Sequence, residues 1–258
     1  MAEYNRSGSQ ISRMVRRALS LPLTMRRLSA HYGALRWRAA ANVAVFPELG
    51  LAYNRIKKNA NTSVLLLLQQ MAQGKVDNRK DVKRKTGTLL DLSRDELRTL
   101  DRLHLFVVIR NPYSRVLSAF LDRFRNPDYR RRYGPFDLTP EGFGEFLVWL
   151  ENGGMSRNGH WNYQRKRMIL PLAAYDTVIR FENFREELVN MLNARDLNIP
   201  EDCLQELFPA DRDKRTSASK KLEQYYNAEK RDRVARLYAV DFKELGYPVA
   251  FPGKVIDT

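Results

Sequence analysis

The chain has 258 residues, long enough for one α/β domain with a full core, and its hydrophobic content of 43% excludes a disordered protein. The 45 lysines and arginines outnumber the 30 aspartates and glutamates, and the formal net charge of +15 favours attraction to polyanions. Cys203 is the single cysteine, which excludes an intrachain disulfide, and the three histidines are not clustered, so no metal site is expected.

Residues 1–45 are predicted to form a basic helical extension that precedes an α/β domain over residues 46–258. Arginines recur among apolar residues in this segment, which is typical of amphipathic helices. Such helices bind an anionic membrane surface or a partner, or pack on the domain, and packing on the domain is favoured. No apolar run approaches the about 20 residues of a membrane-spanning helix, and arginines interrupt any signal-peptide core. We therefore expect a cytoplasmic protein, with peripheral contact at the inner membrane surface left open.

The first strand–turn–helix unit follows this extension. Leu51–Ile56 is the predicted strand, Lys57–Asn61 is a polar turn, and the apolar run Val64–Met71 forms the helix. The unit places basic residues where a strand ends and a helix begins.

The turn of this unit has the residue types that a phosphate site needs. Asn59 and Asn61 tolerate a left-handed backbone better than most residues, which suits a tight turn around a phosphate. Lys58 is expected to point into the turn, and the Thr62 and Ser63 hydroxyls lie at the start of the helix. The alternative is an ordinary exposed turn with solvated lysines.

A second strand–turn–helix unit organises the middle of the chain. Leu105–Ile109 has no charge and many β-branched residues, which predicts a strand buried on both faces in a parallel sheet. Arg110 follows the strand, and Asn111 with Pro112 is a helix-start signal. Ligands of open α/β sheets bind at the carboxyl ends of the strands, so Arg110 lies where a phosphate is expected, with Ser118 as a further donor. The alternative to a phosphate site, given equal weight, is that Arg110 pairs with a carboxylate and that Ser118 is a small packing residue.

The other elements continue an α/β pattern. Ser93–Glu96 has the spacing of a capping box, which predicts a short helix to about Leu100. Asn126–Tyr133 is rich in arginine and tyrosine and is predicted to be a mobile loop near the mouth of the crevice. His160 and Trp161 lie in a polar loop. The remaining predictions are a helix from Thr139 to Leu150, a strand over Tyr175–Phe181, helices over Phe184–Arg195, Pro200–Phe208 and Leu222–Leu237, and a basic loop over Ala210–Lys221.

Strands that alternate with helices predict an α/β, P-loop-like three-layer fold with a central, mainly parallel sheet flanked by helices. Two basic turns at strand ends, each opening a helix, suggest two phosphate sites on one ligand. The first turn is not a Walker A loop, because Lys58 precedes Thr62 by a turn and no glycine is present. A nucleotide kinase is therefore disfavoured.

This order of lysine and hydroxyl resembles the 5′-phosphosulfate loop of the sulfotransferases that use 3′-phosphoadenosine 5′-phosphosulfate (PAPS). Their loop reads roughly Pro-Lys-x-Gly/Ala-x-Thr/Ser, and residues 57–63 read Lys-Lys-Asn-Ala-Asn-Thr-Ser, with Lys57 in place of the proline. Their 3′-phosphate motif reads roughly Arg-Asp/Asn-Pro-x-x-Arg-x-x-Ser, and the stretch from Arg110 to Ser118 matches every specified position.

The resemblance runs over residues 50 to 250 and is to Golgi carbohydrate sulfotransferases. It includes His160-Trp161, the stretch Tyr175–Phe184 and the closing Tyr238–Phe242. Those enzymes have a membrane anchor and paired cysteines; this chain has one cysteine and no anchor is expected, which implies a soluble, bacterial-type relative.

The resemblance implies a role for each motif residue. Lys58 would stabilise charge on the departing phosphate oxygen, and Arg110 and Ser118 would hold the 3′-phosphate. His160 is the candidate base, because a neutral imidazole suits that role near pH 7, and Glu182 is the alternative base or a support for the loop. Positioning and positive charge suffice for such a transfer, so no metal is required. The 5′-phosphosulfate would be cradled by backbone N–H groups and hydroxyls of Asn59, Ala60, Asn61, Thr62 and Ser63, together with Lys58.

We therefore expect a PAPS-dependent sulfotransferase that modifies a hydroxyl, favoured to be on a carbohydrate, and that also binds the product 3′-phosphoadenosine 5′-phosphate. The excess positive charge favours an anionic or already sulfated acceptor, a protein tyrosine stays open, and no specific nucleic acid is expected. The rival hypothesis is a non-enzymatic polyanion-binding protein that uses its arginine-rich N-terminus. That hypothesis leaves the two basic turns at strand–helix junctions unexplained.

Overall fold

A four-stranded sheet organises the part of the chain that the structure, a computed structural model, describes: residues 36–74, 86–92, 102–207 and 221–252, with the single residues 26, 82 and 96. The strands are β1 (Val43–Phe46), β2 (Leu51–Asn54), β3 (His104–Ile109) and β4 (Thr177–Arg180). They are adjacent in chain order. Strand β1 is antiparallel to β2, whereas β2, β3 and β4 are parallel to one another.

Helices connect the strands and cover the sheet. Short 3-10 helices lie before β1 and after β4, at Trp37–Asn42 and Phe181–Asn183. The α-helices of the described residues are α1 (Asn61–Gln73), α2 (Pro112–Arg123), α3 (Pro127–Tyr133), α4 (Pro140–Glu151), α5 (Phe184–Asn193), α6 (Glu201–Leu207), α7 (Leu222–Tyr225), α8 (Ala228–Leu237) and α9 (Ala239–Leu245).

The sheet separates two hydrophobic clusters, which gives the fold three layers. Alternate residues of β3 point to opposite faces, so Leu105, Val107 and Ile109 belong to one cluster, and Phe106 and Val108 to the other. Helices α2, α4, α8 and α9 contribute to the first cluster, and α1 and α5 to the second. The predicted α/β fold with a mainly parallel sheet flanked by helices is confirmed.

Strand β1 lies almost entirely within the segment that the sequence predicts to be a basic helical extension, and it moves the start of the domain. Val43 and Val45 are buried and join the same core as Ala39 and Ala40. The domain therefore begins before the predicted boundary at residue 46, because these residues complete its sheet and core. Four apolar residues give too short a run for periodicity to reveal a strand.

Several predictions fall on residues outside the described ranges. These are most of the N-terminal extension (residues 1–25 and 27–35), most of the helix expected up to Leu100, and most of the basic loop (residues 210–220). The extension and its membrane contact stay predictions. Among the described residues, no helix has the length and apolar character needed to cross a membrane.

Helix α3 replaces the mobile loop that the sequence predicts over Asn126–Tyr133. The Asn126 side chain accepts the Asp128 N–H at 2.8 Å as an N-cap, and Pro127 occupies the first helical position. The Tyr133 ring packs edge-on against the buried Trp161, with centroids 5.1 Å apart. The predicted loop was wrong because the cap signal Asn126-Pro127 starts a helix in spite of the run of arginines that follows.

The helix predicted over Leu222–Leu237 is two helices. Helix α7 ends at Tyr225, and Asn227 caps α8 by accepting the Lys230 N–H at 3.0 Å. Between them the buried Tyr226 donates its hydroxyl to the Tyr113 carbonyl at 2.9 Å. The break places this tyrosine against α2.

Phe146 should be one of the main stabilising residues of the first cluster. Its buried ring contacts the rings of Phe120, Phe124 and Trp161. We expect Phe146→Ala to lower the free energy of unfolding by about 3–5 kcal/mol, measured by urea denaturation with circular dichroism. Val148→Ala on the same helix, where the side chain is 41% exposed, is the control and should change it by less than about 0.5 kcal/mol. Equal losses in the two variants would contradict this packing.

Candidate active site

The candidate site lies at the carboxyl ends of β2 and β3, which are parallel and adjacent. The loop after β2 contains Lys58 and Asn59, and the turn after β3 contains Arg110. Asn59 Nδ2 donates to the Val108 carbonyl at 2.8 Å, and Arg110 Nη1 donates to the Lys58 carbonyl at 3.0 Å. The two turns are thereby joined at the sheet edge where open α/β folds bind ligands.

The loop after β2 has two left-handed residues, and neither is an asparagine. Lys58 has φ 72° and Ala60 has φ 53°. Asn61 is the first residue of α1, and the side chain of Asn59 is fully buried. The expectation that Asn59 and Asn61 provide the left-handed backbone was therefore wrong, and the side chain of Asn59 is instead a hydrogen-bond donor beneath the loop. Such a backbone at a residue other than glycine costs on the order of 1–3 kcal/mol and is typical of functional loops.

Two buried arginines of the second unit hold this strained loop. Arg115 Nε donates to the Lys57 carbonyl at 3.2 Å, and Arg110 Nη1 donates to the Lys58 carbonyl. Hydrogen bonds to charged groups contribute about 1.5–3 kcal/mol each, enough to offset the backbone strain. Because C=O and N–H of a trans peptide point in opposite directions, the N–H groups of Lys58 and Asn59 point away from the arginines. The N–H of Asn59 makes a long bond of 3.4 Å to the Ile56 carbonyl.

The N-terminus of α1 opens onto the same loop. Ala60 is its N-cap residue and no side chain caps the helix. The first intrahelical bond runs from the Val64 N–H to the Ala60 carbonyl at 3.0 Å, so the N–H groups of Asn61, Thr62 and Ser63 have no helical acceptor. Such N–H groups, at the positive end of the helix dipole, favour an anion.

The ammonium group of Lys58 lies in a half-enclosed position. Its side chain is 14% exposed, and Nζ lies 2.8 Å from Asp122 Oδ2. Burial lowers the pKa of Lys58 to about 8; the hydrogen bond and charge of Asp122 oppose this, and Arg123 and Arg110 add to it. Lys58 is therefore protonated at neutral pH with little margin.

Asp122 is a site residue that the sequence reasoning missed. It also pairs with Arg123, so one carboxylate serves two cations. Burial tends to raise the pKa of Asp122, but the bonds from Lys58 and Arg123 keep it below its usual value. A signal was present: Ser114, Ser118 and Asp122 recur at intervals of four along α2 and share one face.

Arg110 is buried, with 3% of its surface exposed, and lies where the sequence predicts it. Its Nε donates to Ser114 Oγ at 3.0 Å, and its guanidinium lies 4.0 Å from the centroid of the Phe181 ring. Burial lowers the pKa of Arg110 to about 10, so it keeps its charge at neutral pH. Ser118 is buried one turn beyond Ser114 on the same helix face.

Gln164 forms a buried bridge between the two turns that the sequence reasoning also missed. Its Oε1 accepts from Asn59 Nδ2 at 2.6 Å and from the Arg110 N–H at 3.1 Å, while its Nε2 donates to the Arg110 carbonyl at 2.7 Å. The Gln164 N–H donates to Asp241 Oδ2 at 2.8 Å. The bridge fixes the spacing between the loop and β3. A polar residue at the end of a loop carries no sequence signal for this role.

Glu182, the alternative base, supports the start of α2. Its Oε1 accepts the Asn111 N–H at 2.9 Å, and its Oε2 accepts the Tyr247 hydroxyl at 2.7 Å. Both carboxylate oxygens are thus engaged. The geometry favours the supporting role that the sequence analysis gave as one of two options.

His160 lies beside the Lys58 loop and is held by Asn158. Asn158 Oδ1 accepts the His160 N–H at 3.1 Å and lies 2.7 Å from His160 Nδ1, while Asn158 Nδ2 donates to the Tyr133 hydroxyl at 3.0 Å. Because that oxygen can only accept, Nδ1 carries the proton and Nε2 is left with a lone pair. Burial, with the charges of Lys57, Arg123 and Lys58, lowers the pKa of His160 to about 3.

Comparison with known proteins identifies the family. The model of the sulfotransferase family matches residues 41–248, and the chain therefore belongs to this family. Membership supports transfer of a sulfuryl group to a hydroxyl-bearing acceptor, for which the family generally uses PAPS. Searches of curated proteins and of solved structures gave no match. Within the described ranges, no three histidine, cysteine, aspartate or glutamate side chains are grouped as metal ligands.

The contact with Asp122 should control the charge of Lys58. We expect Lys58 to titrate near pH 8 in the wild type, and Asp122→Asn to lower its pKa, because burial and the charges of Arg123 and Arg110 then act unopposed. Carbon-13 NMR of the lysine side chains measures the titration, with Lys58→Arg to assign the signal. Asp122→Glu keeps the charge and should retain most of the effect. The same Lys58 pKa in Asp122→Asn and wild type would show that the ion pair does not form in solution.

Proposed function

We propose that the protein transfers a sulfuryl group from PAPS to a hydroxyl of a carbohydrate and releases 3′-phosphoadenosine 5′-phosphate. The observation that supports this most directly is the loop between β2 and α1, where Lys58 meets the uncapped N-terminus of α1. Arg110 of the neighbouring turn binds the same loop. Cations and unpaired N–H groups on two adjacent turns suit a ligand with anionic groups at two positions.

The residues present fit the charge of such a donor. The first-turn N–H groups of α1 and the Thr62 and Ser63 hydroxyls suit the 5′-phosphosulfate, and Arg110 with Ser118 suits the 3′-phosphate. Arg110 Nη2 makes no hydrogen bond to a described residue, so its two N–H donors remain for a ligand. When bound, PAPS supplies a sulfuryl group on an anionic leaving phosphate.

The proposed reaction is an in-line displacement at sulfur. A bond forms between the acceptor oxygen and sulfur, the bond from sulfur to the bridging phosphate oxygen breaks, and that oxygen keeps the electron pair. His160 takes the hydroxyl proton at Nε2, and Lys58 places positive charge beside the departing oxygen. Removing a preorganised donor of this kind raises the barrier by about 3–4 kcal/mol.

His160 is favoured over Glu182 as the base because its Nε2 has a lone pair, whereas both oxygens of Glu182 are engaged. The carbohydrate nature of the acceptor rests on the sequence resemblance over residues 50–250. The rival, a polyanion-binding protein without activity, requires binding that shows no preference for a 3′-phosphate.

The donor site can be tested by calorimetric titration with 3′-phosphoadenosine 5′-phosphate, with adenosine 5′-monophosphate as the control ligand. We expect the bisphosphate to bind more tightly, and Arg110→Ala to weaken it by about 10- to 100-fold, since hydrogen bonds to charged groups contribute about 1.5–3 kcal/mol. Arg195→Ala removes an exposed arginine that contacts His104 at the opposite end of β3, and it should have no effect. Equal, weak and salt-sensitive binding of both nucleotides would favour the polyanion-binding rival.

Bound nucleotide should also raise the pKa of His160. In the free protein burial lowers that pKa to about 3, and the charges of Lys57, Arg123 and Lys58 contribute because they oppose a further positive charge. Phosphates near these cations offset them, so the imidazole becomes a stronger base when the site is filled. NMR titration of the histidine rings with and without 3′-phosphoadenosine 5′-phosphate measures the shift. His104, at the other end of β3, is an internal control. If the nucleotide leaves the pKa of His160 unchanged, His160 lies outside the nucleotide site.

A further inference from the structure

Asp241, on helix α9, is a carboxylate that the proposed reaction does not use. Its side chain is 0% exposed. Aspartates are almost never buried to this degree unless they are paired, because an isolated charge is costly away from water. The partners of Asp241 should therefore show why the fold keeps an acid in this place.

Asp241 caps a short 3-10 helix that lies far from it in sequence. This helix is Arg165–Arg167, and Gln164 is its N-cap residue. Asp241 Oδ2 accepts the Gln164 N–H at 2.8 Å, and Asp241 Oδ1 accepts the Arg165 N–H at 3.3 Å. The first N–H groups of a helix have no acceptor within it, and the carboxylate supplies one. The backbone of Gln164 is thereby fixed to α9.

The other end of this 3-10 helix is fixed to the sheet. Asn54, the last residue of β2, is fully buried. Its Nδ2 donates to the Arg167 carbonyl at 2.8 Å, and its Oδ1 accepts the Ile169 N–H at 2.8 Å. The segment is thus anchored on both sides, so the side chain of Gln164 starts from a defined point.

Gln164 carries this anchoring to the two turns of the candidate site. Its side chain bonds Asn59 in the loop after β2 and both the N–H and the carbonyl of Arg110 in the turn after β3. Because one side chain bonds both turns, the distance between them depends on where Gln164 lies. Asp241 holds Gln164 there without touching either turn itself.

Asp241 also acts on Arg115, the second support of the loop. Arg115 donates from Nε to the Lys57 carbonyl and from Nη1 to the Asn162 carbonyl at 2.9 Å. Its Nη2 is buried and has no hydrogen-bond partner among the residues that the structure describes. Burial lowers the pKa of Arg115, and the charge of Asp241 is the largest effect that opposes this. The carboxylate therefore helps Arg115 keep its charge beneath the loop.

We infer that Asp241 is a positioning residue for the donor: through Gln164 it sets the spacing of the two anion-binding turns and so the preference for a nucleotide with both a 5′- and a 3′-phosphate. The inference rests on the proposed function and adds a residue that controls its specificity. A ligand anchored at both turns gains from the second contact only if the geometry lets both form at once. A 5′-monophosphate uses one turn and is less sensitive to the spacing.

The test compares calorimetric titrations of full-length wild type, Asp241→Asn and Gln164→Met with 3′-phosphoadenosine 5′-phosphate and adenosine 5′-monophosphate. Asp241→Asn keeps the shape but loses the charge and one acceptor, whereas Gln164→Met keeps the backbone N–H and loses the bridge. We expect each variant to lower the ratio of the two affinities about tenfold. The double variant should lose less than the product of the two single losses, because both residues act in one chain of contacts.

Asp176→Asn is the matched control. Asp176 Oδ2 also accepts a backbone N–H, that of Leu105 at 2.6 Å, but at the opposite end of β3. This variant should keep the wild-type affinity ratio. Far-UV circular dichroism checks that each variant folds. Asp241→Ser, whose hydroxyl keeps one acceptor, carries the same expectation as Asp241→Asn, so the test does not depend on the folding of one variant.

Hydrogen exchange of the Gln164 side-chain amide, measured by NMR without nucleotide, tests the anchoring directly. Gln164→Met assigns the signal by removing it. We expect Asp241→Asn to speed this exchange about tenfold or more, because the buried amide opens more often, and Asp176→Asn to leave it unchanged.

The inference is overturned if Asp241→Asn keeps the wild-type affinity ratio or amide exchange, if Gln164→Met keeps the ratio, or if the two losses multiply in the double variant. A wild type that binds both nucleotides equally would instead overturn the proposed function. The amide exchange would then still decide whether Asp241 positions Gln164.

Discussion

The rest of the site depends on two hydrogen bonds, from Arg110 to the Lys58 carbonyl and from Arg115 to the Lys57 carbonyl. The loop has no glycine, so its two left-handed residues are strained, and the arginine bonds offset that strain. The same bonds turn the carbonyls toward α2 and the N–H groups away from it. A loop that would otherwise favour another backbone conformation is thereby held in the conformation on which the proposed anion site depends.

The concentration of positive charge is the second constraint, because burial disfavours the protonated form of each cationic side chain. The pKa values of Lys58 and Arg110 both fall on burial, to about 8 and about 10. One carboxylate, Asp122, offsets part of this cost for Lys58 and Arg123. Burial, together with the charges of Lys57, Arg123 and Lys58, lowers the pKa of His160 to about 3, so its imidazole is neutral at pH 7, as a base requires. A dianionic ligand would relieve the remaining repulsion, so the site is electrostatically suited to a bound anion.

Much of the fold and part of the site could be predicted from local sequence. The apolar run of β3 and the Asn111-Pro112 cap predicted a strand, a turn and a helix, all of which are present. Chain order with parallel pairing then placed Arg110 beside the Lys58 loop. Such features depend on propensity and spacing within about ten residues, which a sequence records directly. The family resemblance rested on these same local motifs, and membership of the sulfotransferase family was confirmed.

Only the tertiary structure decided which residues far apart in sequence become hydrogen-bond and ion-pair partners. Asp122 reaches Lys58 from the end of α2, and Gln164 bridges Asn59 and Arg110. Helical spacing places Asp122 on the same face as Ser114 and Ser118, but no local pattern shows that its partner is Lys58, and none marks Gln164. By itself, the sequence determined which segments become strands, capped helices and basic turns, because those follow from short-range sterics and hydrogen bonding. Which residues take the left-handed backbone, and which carboxylate meets the lysine, followed from packing, where long-range hydrogen bonds outweigh local preference.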